Sequence, residues 1–212
     1  MKKPLERRYH SCEVRAVATE TGSVITGRPI VISSRTDLGF FDEIIEPGAL
    51  DQTDLTDVRF LVNHNTDMIP LARSRRNNGN STMKLSVVPE GLDMEAVIDT
   101  ENNATARELA SAIERNDLSG MSFMFSIDDE EWEDLETDHP TRHIKKIGSV
   151  VEVSAVTFPA YDATSINARS KEALESARKA VETAKAEVRS VETDKETLLM
   201  LEKAKTKILG GK

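Results

Sequence analysis

Apolar residues cluster in short β-branched runs from about Tyr9 to Arg169, and the pattern changes abruptly after Ser170. Val14–Val17, Ser23–Ile32, Val58–Asn63 and Thr82–Val88 have the composition that predicts strands. Turn signals at Asn77-Asn78-Gly79-Asn80 and Pro89-Glu90-Gly91 predict consecutive antiparallel hairpins, with a meander as the simplest arrangement. The period then changes. Asn103–Arg115 places Ala106, Leu109, Ala110 and Ile113 at helical spacing, with Asn102 or Asn103 available as N-cap. Met121–Ile127 and Val150–Phe158 return to strand character, separated by an acidic stretch, Asp128–Asp138, that predicts a solvated hairpin tip. The expected fold is α+β: an antiparallel β-rich sheet or barrel with flanking helices.

Beyond Ser170 the chain has no proline, and Leu174, Ala177, Val181, Ala184, Val188 and Val191 recur at alternate steps of three and four. This heptad-like stripe predicts a helical tail, interrupted at Lys195 ahead of Leu198. Its residues are too small for a self-sufficient core, so the tail reads as a short coiled coil or as a helix that docks on a partner. Two units follow, residues 1–169 and residues 170–212.

Length and composition narrow the picture. With 212 residues, 38% hydrophobic and 31% charged, the chain is expected to fold as one compact domain with an appendage. A formal charge of -9 argues against broad binding of nucleic acid, which needs a basic face. Cys12 is the only cysteine, so no internal disulfide forms, and Met1–Tyr9 lacks the apolar run of a signal peptide. A cytosolic protein without a membrane span is expected.

Three residues invite chemistry, each with a plainer reading beside it. His64 follows the apolar run Phe60-Leu61-Val62, at the end of a predicted strand, where a histidine hydrogen-bonded at a turn is the plainer reading. Ser122 opens an apolar strand two residues after Gly120, which permits close backbone approach; it also reads as the polar face of that strand. A serine hydroxyl attacks only when an imidazole takes its proton, so the two residues matter as a pair. Glu152 lies inside the apolar run Val150–Val156. A carboxylate there either faces solvent on an alternating strand or is paired, and an imidazole is one suitable partner. His139 and His143, four apart among acids, invite a metal reading, but Pro140 between them opposes the helix that would align them. No metal or cofactor is expected.

Several segments in order resemble the prohead proteases of tailed bacteriophages, serine peptidases of capsid maturation whose fold resembles the herpesvirus assemblin protease. They are Phe41–Leu50, Val58–Asn65, Pro70–Arg73, Glu90-Gly91-Leu92, Gly120–Phe125 and Val151–Tyr161. The resemblance implies His64 as base and Ser122 as nucleophile. Assemblins use a second histidine as third member, whereas the matching region here offers Glu152. Assemblin-type enzymes also recruit an arginine-bearing loop as oxyanion donor, but Pro159-Ala160-Tyr161 contains no arginine. Backbone N–H groups beside Ser122, Met121 among them, or Arg73 stand as the alternatives. Leu71-Ala72-Arg73 departs from a more usual Leu-Gly-Arg.

By the same resemblance, the enzyme acts in the host cytoplasm inside the immature capsid. It cleaves the scaffold protein, or the scaffolding arm of the major capsid protein, and then itself. The tail would be the scaffold-docking or removable segment, and a homodimer is compatible with the family. The alternative is a catalytically inactive scaffold or assembly chaperone of the prohead.

Overall fold

The computed structural model describes residues 4–20, 22–157 and 178–190, together with residues 193, 195, 198 and 200. In chain order the elements are β1 (Leu5–Ser11), β2 (Arg15–Thr19), β3 (Gly22–Val31), β4 (Arg35–Asp37), β5 (Asp42–Ile45), β6 (Arg59–Val62) and β7 (Ala72–Arg73). There follow β8 (Met83–Val88), β9 (Gly91–Ile98), the helix α1 (Ala104–Glu114), β10 (Gly120–Glu133) and β11 (Thr141–Val156). The fold is α+β and rich in strands, as expected from the sequence. Its strands form two sheets, one ordered β1-β10-β11-β5-β4 with β6 and β7 attached through β11, the other ordered β2-β3-β9-β8. One buried apolar cluster joins them, with Ile25, Ile30, Leu92 and Met94 from one sheet and Phe60, Met121, Phe125 and Val153 from the other.

The hairpin β10–β11 is the spine of the larger sheet. The face of β11 opposite β10 is shared lengthwise: Thr141–Ile144 pair in parallel with Asp42–Ile45, and Glu152–Ala155 pair in parallel with Arg59–Val62. Between those pairings the chain from β5 to β6 crosses the strand edge, where Ile147 N–H donates to the Ala49 carbonyl at 2.9 Å. The hairpin bends through register shifts between Met124 and Glu130. Gly148 sits in this bend, where a Cβ would come within 2.4 Å of Asp128 Oδ1, so a side chain there would displace the Asp128 carboxylate.

The Pro89-Glu90 turn joins the antiparallel pair β8–β9, as its turn signal predicts. Asn77–Asn80 differs: β7 pairs with β6 and β8 with β9, so this turn carries the chain between sheets and no simple meander forms. The acidic stretch is likewise mostly strand. Asp128–Glu133 extend β10 as an exposed arm paired with β11, because the cross-strand ladder satisfies the backbone while the carboxylates stay in water. The hairpin tip is only residues 134–140.

Helix α1 buries Ala106, Leu109, Ala110 and Ile113, the four residues whose spacing predicts it, and Asn103 caps it by accepting from the Thr105 and Ala106 N–H groups. In the tail, residues 178–190 are helical, with Ala184 buried, Val181 half-buried and Val188 exposed. Lys185 Nζ reaches the Thr137 carbonyl in the hairpin tip at 3.5 Å. Leu174, Ala177 and Val191 of the stripe lie outside the described residues. No helix among the described residues is long and apolar enough to cross a membrane.

Candidate active site

Strand β6 runs parallel beside the end of β11 and stops at Val62, and the next two residues turn sharply. Asn63 and His64 both have positive φ, 51° and 56°. Asparagine and histidine are among the non-glycine residues that enter that region most readily, and two in succession there are held by their surroundings. The restraints are visible. Asn63 N–H donates to the Ala155 carbonyl at 2.9 Å, Thr157 N–H donates to Asn63 Oδ1 at 3.1 Å, and His64 N–H donates to Ser154 Oγ at 3.2 Å.

The turn brings the His64 ring over the β10–β11 ladder, where Ser122 and Ser154 are direct cross-strand partners. Glu152 is two residues from Ser154, so the period of a strand puts Glu152, Ser154 and Ser122 on one face. Ser122 Oγ lies 2.5 Å from His64 Nε2, and His64 Nδ1 is hydrogen-bonded to Glu152 Oε1. Ser154 Oγ donates to the other carboxylate oxygen, Glu152 Oε2, at 2.6 Å. All four side chains are buried. Of the two readings open for Glu152, the paired one is what the fold builds.

Ser154 is the residue that sequence reasoning passed over. Its hydroxyl ties the backbone of His64 to the carboxylate of Glu152, so it fixes the relative position of both. The available signal was a small polar side chain two residues from Glu152 in an otherwise apolar run. Ser154→Ala removes both bonds and leaves one carboxylate oxygen underpaired, which costs about 1–3 kcal/mol. Thermal melting should show that loss. Any reaction that draws on this hydrogen-bonded group should fall through kcat with KM little changed; a change confined to KM would contradict a positioning role.

The other sequence candidates make different contacts. Met121 is buried inside β10 with paired strands on both sides, facing His10 and Ala155, so its N–H points along the sheet and not into a cleft. Arg73 is held by Asp57, Nε to Oδ1 at 2.5 Å and Nη2 to Oδ2 at 2.7 Å. Its guanidinium is therefore committed to a surface pair. Pro159-Ala160-Tyr161 lies outside the described residues. His139 faces Asp42, while His143 lies between Glu46 and Glu133, so the two histidines do not converge. Among the described residues, the one converging group of three potential metal ligands is Asp37, Asp42 and His139.

On the opposite face of β10 lies a buried ionic cluster that no apolar pattern signals. Arg8 grips Glu43, Nε to Oε1 at 2.5 Å and Nη2 to Oε2 at 2.6 Å. Arg142 donates to Glu6 at 3.0 and 3.1 Å and to Glu130 through Nε at 3.0 Å. Its guanidinium also sits over the rings of Trp132 and Phe41, 5.5 and 6.0 Å from their centroids. Burial alone would raise the Glu6 carboxyl, but the charges of Arg8 and Arg142 outweigh it and carry it from 4.5 down to about 2. A carboxylate depressed in this way stabilises the fold above its ordinary value, and that contribution is lost as pH falls from 4.5 towards 2. Over that window, amides of β1 should lose hydrogen-exchange protection, corrected for intrinsic rates, before those of β9. Simultaneous loss would contradict the assignment.

A hydroxyl, an imidazole and a carboxylate bonded in this order define the class of site that serine hydrolases use. The chain matches the caudovirus prohead serine protease family over residues 10–179, and it belongs to that family. It is thus a serine protease of phage capsid maturation. Among solved structures, the bacteriophage T4 capsid assembly protease gp21 is similar at 12% identity, covering 75% of this chain and 100% of that chain, with a TM-score of 0.46. Comparison with curated proteins gives no match.

Proposed function

We propose that Ser122 is the nucleophile, His64 the general base and acid, and Glu152 the residue that orients His64, in an endopeptidase that trims scaffold or the scaffolding arm of the capsid protein inside the prohead. The observation that carries this reading is the buried chain of hydrogen bonds from Ser122 Oγ through His64 to Glu152. With Nδ1–H held by Glu152, the lone pair of Nε2 faces the hydroxyl and takes its proton as Oγ bonds to the scissile carbonyl carbon. The imidazolium then gives that proton to the leaving amine, and water repeats the sequence to free the acyl group. Glu152 stabilises the imidazolium in both halves, and Ser154 keeps Glu152 from turning away. The tail, residues 170–212, serves as a separable segment for docking on scaffold and for removal by the protease itself.

The mass of the purified chain followed over time, beside that of Ser122→Ala, tests this reading. Loss of the tail in the unaltered chain and its retention in the variant are expected. Equal trimming of both would contradict it.

A further inference from the structure

We propose that β1 occupies the place of a bound substrate strand, and that Glu43 selects a basic side chain at the substrate residue whose carbonyl meets Ser122. The proposal rests on Ser122 being the nucleophile and adds what the site recognises.

Strand β1 is the edge of its sheet and pairs with β10 from Leu5 opposite Ser126 to Ser11 opposite Gly120, a span centred close to Ser122. An extended peptide docking on a sheet edge uses that same ladder, with alternate side chains entering pockets on the two faces. In this register Tyr9 lies opposite Ser122, and its ring meets the His64 ring edge-on at 5.3 Å between centroids. Ser122 Oγ lies 2.6 Å from the Arg8 carbonyl oxygen and is fully buried. No second peptide reaches the hydroxyl while β1 is in place. Moreover, β1 lies almost entirely ahead of residues 10–179, the span shared with the family.

The contact is that of an inhibitor and not of a reacting substrate. The Arg8 carbonyl presents its oxygen to Ser122, whereas attack requires its carbon. Ser122 has one proton and two acceptors near it, His64 Nε2 and Arg8 O. Donating to Arg8 withholds the proton from the base.

The side chain of Arg8 points to the other face, where both carboxylate oxygens of Glu43 hold it. Two residues earlier, Glu6 is held by Arg142. With β1 displaced, Arg142 still reaches Glu43 Oε2 at 3.4 Å and Glu130 lies part-exposed, so Glu43 Oε1 alone loses its hydrogen-bond donor and faces the vacated position. A site that leaves a buried carboxylate oxygen without a donor when the wrong ligand binds discriminates against that ligand, and a cationic side chain is what satisfies it. The incoming strand thus places arginine or lysine against Glu43, and an acidic residue two positions earlier meets Arg142. Ser122 Oγ then bonds to the carbonyl carbon of the basic residue, the following C–N bond breaks, and the proton passes through His64 to the new amine.

The test uses the full chain, its Arg8→Ala variant and quenched peptides copying residues 5–11, with arginine or glutamate at the position of Arg8. Arg8→Ala should cleave the arginine peptide at least roughly tenfold faster than the unaltered chain, and prefer it to the glutamate peptide by a similar factor. Glu43→Gln combined with Arg8→Ala should lose the preference. Equal rates for Arg8→Ala and the unaltered chain, or indifference to the two peptides, would overturn the proposal while leaving the nucleophile assignment intact. Hydrolysis surviving Ser122→Ala would overturn the nucleophile assignment itself, and this proposal with it. Should Arg8→Ala not fold, the Ser122→Ala chain with excess peptide gives the same answer through hydrogen exchange. The arginine peptide should speed exchange at Leu5–Ser11 and the glutamate peptide should not; unchanged protection with both overturns the proposal.

Discussion

His64→Ala is expected to lower kcat for peptide hydrolysis roughly a millionfold, because a buried serine hydroxyl without a base does not become a nucleophile and the members of such a group act as a unit. The double variant His64→Ala with Ser122→Ala should be scarcely worse than either single change. Stability should fall as well, by about 3 kcal/mol, since Glu152 is left in the interior with only the Ser154 hydroxyl as partner. Steady-state kinetics and thermal melting on the same preparation separate these effects. Activity falling only in proportion to the unfolded fraction would show His64 to be a structural histidine.

Glu152→Gln is the second large effect, a loss of roughly ten-thousandfold in kcat with little change in melting temperature. The amide has the shape of the carboxylate and keeps a partner for each neighbour, so packing survives. Its NH2 group nevertheless competes to donate to His64 Nδ1, which favours the wrong tautomer, and it offers no charge to the imidazolium. A Glu152 whose role was only structural would give the opposite pattern, with melting affected and the rate preserved. The position makes that contrast sharp, because Glu152 lies in the middle of a fully paired strand and cannot reorient without breaking β11 from β6.

How much of this was legible in the sequence depends on which interaction decides each element. Helix α1 was legible to its cap, because Asn103 and the spacing of Ala106, Leu109, Ala110 and Ile113 are local signals. Strands β2, β3 and β8 of the smaller sheet were legible for the same reason, and β9 through the Pro89-Glu90-Gly91 turn ahead of it. Strand β1 was not: Leu5–Ser11 is mostly polar, and Glu6 and Arg8 are half-buried only because Glu43 and Arg142, distant in sequence, neutralise them. Parallel pairing of β11 with both β5 and β6 is a long-range choice with no local trace, and it is what brings His64 to Ser122. The sequence left Glu152 between water and a partner, and the decision belongs to the turn at Asn63-His64, whose positive φ values no apolar pattern encodes. The oxyanion candidate Arg73 likewise meets a partner that no local pattern signals. Arg73 has the right charge, yet Asp57 sixteen positions away in the chain holds it.

The measurement that bears most directly on the central claim is the mass of capsid-protein subunits after co-expression with this chain, in parallel with its Ser122→Ala variant. Shells formed with the unaltered chain should contain subunits shortened by loss of the scaffolding arm, and those formed with the variant should retain full mass. Subunits shortened equally in the presence of Ser122→Ala would contradict the account.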